Sequence, residues 1–127
     1  MRLLLDTHTL IWWLENRALS ATAKDAIGAR SNEVWVSVVS AYEISFKVTL
    51  GKLPGCAPLI PKFSGTLLTE GFRHLEATTR HGIEAGRLPL IHRDPWDRML
   101  VAQAIIEDMV VVTNDKKLSA LGAKCLW

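Results

Sequence analysis

The chain has too few cysteines to be built around disulfides or a zinc site. Only Cys56 and Cys125 occur among its 127 residues, and neither belongs to a C-x-x-C pair or has histidines at zinc-finger spacing. Isolated cysteines are typical of proteins that are kept in a reducing compartment. We therefore expect no disulfide framework and a cytoplasmic location.

Long hydrophobic runs are also missing. The apolar stretch that begins at Leu3 is interrupted at Asp6, and Glu15 interrupts the apolar segment that follows. No hydrophobic region of a signal peptide survives, because such a region needs roughly 7–15 apolar residues. No stretch approaches the ~20 apolar residues that cross a bilayer. The sequence predicts a protein that does not interact with membranes.

A strong net charge is absent as well. The formal charge of +2 is compatible with an anionic partner but does not require one. Hydrophobic residues make up 49% of the chain and five residues are Trp, which excludes a disordered protein. There is no internal repeat. A chain of this length is predicted to form a single domain, residues 1–127, with its own core.

Short apolar strands alternate with helical segments along the chain. The predicted strands are Arg2–Leu5, Val34–Ser37, His74–Ala77, Met109–Val112 and, as an edge strand, Lys124–Leu126. The predicted helices are Leu10–Glu15 with Thr7 or Thr9 as its cap, a helix from Ser20 to about Arg30, one that ends near Leu50, Lys62–Gly71, Thr78–Arg87 and one that begins at Pro95. Gly51–Pro61 is predicted to be a loop. This alternation indicates an α/β fold with a central parallel sheet of four to five short strands and helices on both faces.

The stretch from Asp94 to Ala104 has the pattern of a helix with an acidic residue on its apolar side. Pro95 suits the first position of a helix, and Asp94 before it is a good N-cap. Leu100, Val101, Ala104, Ile105 and Asp108 follow Asp97 at helical spacing, so Asp97 begins the stripe that points into the protein. The simpler alternative is that Asp94 and Asp97 form a capping box.

Other acids occupy comparable positions. Asp6 directly follows the first strand, and Asp115 follows the strand that ends at Val112. Glu43 lies near a helix start, among Val39, Phe46 and Leu50 at helical spacing. Two of them have a structural alternative: Asp115 could cap a helix Lys116–Leu121, and Glu43 could form a capping box with Ser40 or an i,i+4 pair with Lys47.

Taken together, the acids indicate a metal site. Parallel sheets place their sites beyond the carboxyl ends of the strands, where these acids are expected to meet. Clustered carboxylates repel unless a divalent cation joins them, and an oxygen-only set favours Mg²⁺ or Mn²⁺ over Zn²⁺. Such an ion can activate a water and offset charge on a phosphate, so the acids suggest phosphodiester hydrolysis. The residues are Asp6, Glu43, Asp97 and Asp115.

Several segments resemble the PIN-domain ribonucleases, most closely the VapC-type toxins of toxin–antitoxin pairs. The matching segments are Leu4–His8, Val36–Ile44, Asp94–Ala104 and Thr113–Asp115, in the family's order and spanning almost the whole chain. The resemblance implies a PIN-like fold, cleavage of RNA by a Mg²⁺- or Mn²⁺-dependent endoribonuclease, and a small antitoxin that blocks the site. It assigns the catalytic and metal-binding roles to the same four acids and supporting roles to Thr113 and Asp94. Residues 51–87 carry no motif of the family.

Basic and aromatic residues near the acids allow further predictions. Arg98, Lys116 and Lys117 adjoin site acids and could hold RNA phosphates, although ordinary surface charge explains them equally well. His8 and His92 lie near the proposed site and would suit a metal-free ribonuclease. The Trp-rich composition predicts an exposed apolar surface that binds an antitoxin helix or a second copy of the chain in a homodimer.

Two other functions are compatible with the sequence. A phosphohydrolase could use Asp6 as its covalent nucleophile, but that chemistry commonly needs a second acid two residues later, where this chain has His8. A non-catalytic module that binds RNA or protein is the other alternative. The presence of all four acids argues against such a module, which would have no need of clustered charge.

Overall fold

A computed structural model describes residues 1–127 and contains one sheet of five strands, all parallel. The strands are β1 (Arg2–Leu5), β2 (Glu33–Ser37), β3 (Arg73–Leu75), β4 (Val110–Val112) and β5 (Cys125–Leu126). Their order in the sheet is β3-β2-β1-β4-β5, which places β1 at the centre between β2 and β4. The predicted α/β class and the parallel sheet are confirmed.

Helices cover both faces of this sheet. They are α1 (Thr7–Leu14), α2 (Ala21–Gly28), α3 (Val38–Thr49), the 3-10 helix Pro54–Lys62, α4 (Phe63–Glu70), α5 (Thr79–Arg87), α6 (Pro95–Ile106) and α7 (Lys116–Ala120). Successive side chains of a strand point to opposite faces. Leu4 of β1 accordingly packs in the core that contains α5, α6 and α7, while Leu3 and Leu5 pack in the core that contains α1, α2 and α4. No helix has both the length and the apolar character needed to cross a membrane.

Two predictions in the middle of the chain are wrong in detail. Residues 51–61 were predicted to be a loop, but most of them lie in the 3-10 helix, which has Pro54 in its first turn. Proline suits that position because it has no N–H to leave unpaired. The strand predicted at His74–Ala77 lies instead at Arg73–Leu75. It begins soon after Gly71, whose left-handed φ of 75° ends α4.

The start of α1 also differs from the prediction. The helix begins at Thr7 with Asp6 as the N-cap residue, and neither Thr7 nor Thr9 caps it. Both hydroxyls are buried and are used elsewhere. The Oγ1 of Thr7 lies 2.9 Å from the Oγ of Ser40, and the Oγ1 of Thr9 donates to the Val112 carbonyl at 2.7 Å. These bonds fasten the first turn of α1 to α3 and β4.

The predicted apolar stripes are only partly buried. On α6, Leu100, Val101 and Ala104 are in the core, but Ile105 is 45% exposed and Asp108 lies beyond the end of the helix with a positive φ of 52°. On α3, Phe46 and Leu50 are exposed, contrary to expectation. The way each helix packs on the sheet decides which of its sides is covered, and helical spacing alone does not reveal it.

Candidate active site at the carboxyl edge of the sheet

Asp6 lies at the centre of the carboxyl edge, directly after β1. Its backbone N–H donates to the Val112 carbonyl at 3.2 Å, and only 8% of the residue is exposed. Its Oδ2 accepts a hydrogen bond from the Oγ1 of Thr113 at 2.7 Å. Burial raises the pKa of Asp6 and the charge of Glu43 raises it further, whereas the Thr113 hydrogen bond lowers it. A carboxylate in this position is therefore destabilised when ionised.

Thr113 links two of the predicted site acids. Leu5 pairs with Val112 in the sheet, so the residues after β1 and β4 lie side by side. The hydroxyl of Thr113 donates to Asp6 and also accepts the backbone N–H of Asp115 at 3.0 Å. One buried side chain thus fixes the carboxylate of Asp6 and the loop that carries Asp115.

Asp115 is also a helix cap, as the simpler interpretation of the sequence held. Its Oδ1 accepts the backbone N–H of Lys117 at 2.9 Å, at the N-terminus of α7. Capping orients the carboxylate through one of its two oxygens. The cap and a role in a metal site are therefore compatible.

Glu43 is buried beside the same edge and is paired with Lys47. Its Oε2 lies 2.5 Å from the Nζ of Lys47, which is the i,i+4 pair considered from the sequence. The capping box with Ser40 does not form, because Ser37 is the N-cap of α3 and accepts the N–H of Val39. Since the charge of Glu43 raises the pKa of Asp6, the two carboxylates act on one another electrostatically.

Asp97 is hydrogen-bonded to a histidine, and Asp94 is the residue that caps the helix. Asp94 is the N-cap of α6 and accepts the N–H groups of Trp96 and Asp97 at 2.8 and 3.3 Å. The Oδ2 of Asp97 lies 2.7 Å from the Nε2 of His92, so the capping box is not formed reciprocally. Burial raises the pKa of Asp97 to about 6, and the charges of Asp94 and Asp6 contribute, while the His92 hydrogen bond lowers it.

The four acids surround one edge, but each has its own partner. Their partners are Thr113 for Asp6, Lys47 for Glu43, His92 for Asp97 and the backbone of Lys117 for Asp115. No three His, Cys, Asp or Glu side chains stand in an arrangement that could hold a metal ion directly. The donor set itself fits Mg²⁺ or Mn²⁺, because Mg²⁺ prefers oxygen, keeps several waters and often uses only one or two carboxylates.

Arg98 is not available to bind phosphate, so that prediction is wrong. The residue is buried, and its two terminal nitrogens donate to four backbone carbonyls. These belong to Gly86, Leu88, Pro89 and His92, at 2.7 to 3.2 Å. Arg98 therefore holds the segment between α5 and α6 in place. Lys116, in contrast, is exposed and lines an open groove together with Asp115.

Three residues that lie around the acids have little signal in the sequence. Ser40 contacts Thr7 in the buried space between α1 and α3. Cys125 of β5 has a raised pKa, first because of burial and then because of the negative charges of Asp6 and Asp115. Trp127 follows the same strand and lines the groove with Asp115. The pairing of β5 with β4 brings Cys125 and Trp127 next to Asp115. In the sequence, only the predicted edge strand at Lys124–Leu126 indicates that pairing.

We expect Asp97→Asn to stabilise the metal-free protein at pH 7.5 by about 1–2 kcal/mol, after a discount for the exposed part of the side chain. The folded-state pKa of Asp97, about 6, lies above its usual 3.8. The stability that goes with this raised pKa is fully present below the unfolded-state value and is lost as pH rises through about 6. Asparagine carries no charge at any pH, so the variant does not lose this stability as pH rises. Thermal melting in EDTA at pH 4.5 and pH 7.5 measures the difference, which should be small at the lower pH.

Asp108→Asn is the matched control for this prediction, because the side chain of Asp108 is exposed and lies outside the buried edge. If Asp97 acted only as a favourable charge at the helix N-terminus, its replacement would destabilise by ~0.3–1 kcal/mol. A variant that is less stable than the wild type at pH 7.5 would support that simpler role and contradict ours.

Comparison with known proteins agrees with this fold. A family model described as PIN domain matches residues 3–124. Ribonuclease VapC22 of Mycobacterium tuberculosis is 30% identical over 117 residues, which cover 91% of this chain and 88% of that protein. Among solved structures, VapBC2 from Rickettsia felis bound to a promoter DNA fragment has a TM-score of 0.73 at 15% identity, with 99% of this chain and 98% of that one covered. VapBC-1 from nontypeable Haemophilus influenzae has a TM-score of 0.68 at 16% identity, with 99% and 97% covered.

Proposed function

Because this chain belongs to the PIN-domain family, we propose that it is a metal-dependent endoribonuclease and the toxin of a toxin–antitoxin pair. The relative from M. tuberculosis is named a ribonuclease of the VapC group, and several solved neighbours are toxin–antitoxin complexes. The substrate under this proposal is RNA, and the reaction is hydrolysis of a phosphodiester bond.

The observation that carries the proposal is the electrostatic state of Asp6. It is buried, its pKa is raised by desolvation, and both Glu43 and Asp97 interact with it by charge. A fold held only by packing gains nothing from ionisable groups that destabilise one another. A divalent cation would remove that repulsion. The arrangement is therefore best explained as a site for a cation and a phosphate.

Each site residue has a distinct part in this proposal. We assign Asp6, Asp97 and Asp115 to holding Mg²⁺ or Mn²⁺, in part through coordinated waters, because no three of these side chains are arranged to hold an ion directly. Glu43 is the fourth carboxylate of the set. When bound, the ion supplies positive charge to the scissile phosphate and lowers the pKa of a coordinated water. Thr113 orients Asp6 through its hydrogen bond, and Asp94 positions the first turn of α6. Lys116 is the exposed cation beside Asp115 and would contact a neighbouring phosphate.

The proposed protein partners would use a different surface. Val38, Tyr42, Phe46 and Leu50 are all exposed and recur every fourth residue along α3. Trp96 of α6 packs against this stripe, with its ring centroid 4.8 Å from that of Tyr42. A regular exposed apolar stripe suits an amphipathic partner helix. We assign it to the antitoxin or to a homodimer, and light scattering that finds only monomer would remove the homodimer from the proposal.

Purified protein should cleave single-stranded RNA in Mg²⁺ or Mn²⁺ and stop when EDTA is added in excess. Products separated on a denaturing gel give the rate, and readdition of Mg²⁺ should restore it. Co-expression with the product of an adjacent short reading frame should relieve growth arrest caused by the chain. Undiminished cleavage in EDTA would contradict the metal mechanism and favour His8, which is exposed close to Asp6.

A further inference from the structure

We propose that His8, Trp12 and Trp127, here called the aromatic row, stack with bases of the RNA next to the cleaved phosphate. This inference rests on the ribonuclease function proposed above and adds the residues that position the substrate. It concerns a part of the site that the acids do not explain. Trp127 also lies outside residues 3–124, the part of the chain that the family model matches.

The three rings form a continuous row. The ring centroids of His8 and Trp12 are 5.8 Å apart with planes at 47°, and those of Trp12 and Trp127 are also 5.8 Å apart, with planes at 65°. Neither contact is a face-to-face stack. A ring that meets its neighbour by an edge leaves a face uncovered by that neighbour. Such faces are what an unpaired base stacks on.

Strand pairing places the row beside the acids. His8 is in the first turn of α1, and its charge acts on Asp6. At the other end of the row, Trp127 follows β5, whose Leu126 carbonyl accepts the N–H of Thr113 at 3.1 Å. Trp127 therefore stands at the same carboxyl edge of the sheet as Thr113, the residue bound to Asp6.

The groove at Trp127 has the mixed character of a site for single-stranded nucleic acid. It has a volume of about 280 Å³, and its walls include Asn114, Asp115, Lys116, Ser119 and Trp127. Lys116 is exposed and takes no part in an ion pair with any acid of the chain. Sequence-tolerant binding of single strands combines cationic side chains for the backbone with aromatic rings for the bases. The groove contains one cationic side chain, Lys116, and one aromatic ring, Trp127, next to Asp115.

A simpler explanation is that the tryptophans only close the side of the core, because both are partly buried and Trp127 packs against it. The two explanations predict different affinities for an RNA that lacks one base. If Trp127 stacks on a base, removal of that base and removal of the indole abolish the same contact. The two losses will then not add. If Trp127 only packs, the two changes are independent.

The test measures binding of fluorescein-labelled single-stranded RNA oligonucleotides by anisotropy, in EDTA so that no metal-dependent cleavage occurs. One oligonucleotide is intact and the others carry a single abasic nucleotide at successive positions. We expect Trp127→Leu to weaken binding of intact RNA by about 5- to 100-fold. One abasic position should weaken wild-type binding by a similar factor and have no further effect on the variant. Trp127→Phe, which keeps an aromatic face, should recover most of the affinity.

Trp13→Leu is the matched control, since Trp13 is also a partly buried tryptophan that packs against the core, but its partners are Phe72 and Glu70 and it lies outside the aromatic row. It should leave RNA affinity unchanged. If Trp127→Leu does not fold by thermal melting, His8→Leu, at an exposed position, replaces it in the same comparison. An abasic effect that is equal in wild type and variant at every position would overturn the proposal. If RNA binding depends on Trp127 but the protein never cleaves RNA, the role of the aromatic row in binding bases is supported and the ribonuclease function is refuted.

Discussion

Asp6→Asn should lower the rate of RNA cleavage by at least about 10³-fold while the protein stays folded. A metal ion at a phosphoryl centre contributes several kcal/mol of charge stabilisation, and each ~1.4 kcal/mol corresponds to tenfold in rate. Asparagine offers a neutral oxygen in place of a charged one and so weakens the metal site. It can still accept the hydrogen bond from Thr113. Because burial already disfavours the ionised form of Asp6, loss of the charge should not destabilise the fold.

The measurement pairs initial cleavage rates at saturating Mg²⁺ with thermal melting of the same preparations. Asp108→Asn is the matched control, because that carboxylate is exposed and contacts only Lys124. It should cleave at the wild-type rate. If Asp6→Asn keeps full activity, Asp6 takes no part in the reaction, which rules out the covalent phosphohydrolase considered from the sequence. Full activity of Asp115→Asn as well would rule out the metal mechanism.

Arg98→Leu should lower the free energy of unfolding by about 3–5 kcal/mol, because each buried carbonyl that loses its donor costs about 1–3 kcal/mol. The guanidinium joins the carbonyl of Gly86, in the last turn of α5, to three carbonyls of the segment between α5 and α6. Leucine fills similar space but donates nothing. The loosened segment ends near His92, which contacts Asp97, so cleavage should fall as well. Urea denaturation of the metal-free protein measures the change.

Two companion variants identify the cause of that loss. Arg98→Lys should be nearly as destabilised, since one ammonium cannot reach carbonyls distributed along the segment from Gly86 to His92. Lys116→Gln should change the free energy of unfolding by no more than about 0.5 kcal/mol, as is usual for surface substitutions. It should weaken RNA binding instead. A stable Arg98→Leu protein with a raised KM would mean that Arg98 binds phosphate after all.

Most of the fold is predictable because its elements have strong local signals. Val110–Val112 and Leu3–Leu5 are uniformly apolar, as strands with both faces covered must be. Ser20, Thr78 and Asp94 are caps by side-chain type and act as caps in the structure. Spacing within one helix does not reveal which side another element covers. That is why the exposure of Phe46 and Leu50 was not foreseen.

The sequence predicts that the four acids lie at one edge of the sheet, but it does not predict their contacts. Topology alone brings these acids together: Asp6 and Asp115 directly follow strands, and Asp97 and Glu43 lie in the first two turns of helices that begin at the same edge. The bond between Asp97 and His92 and that between Thr7 and Ser40 depend on side-chain rotamers across different elements. The burial of Arg98 depends on a loop closing around it, and charge by itself suggested an exposed position.

The bond from Thr113 to Asp6 has a consequence for how the protein is made. It joins residues 107 positions apart, which follow the neighbouring strands β1 and β4. During synthesis on the ribosome, β1, β2 and β3 emerge long before α6 and β4. A nascent chain that has reached β3 has Asp6 and Glu43 but lacks Asp97, Thr113 and Asp115. The proposed nuclease therefore cannot act before nearly all of its chain has left the ribosome.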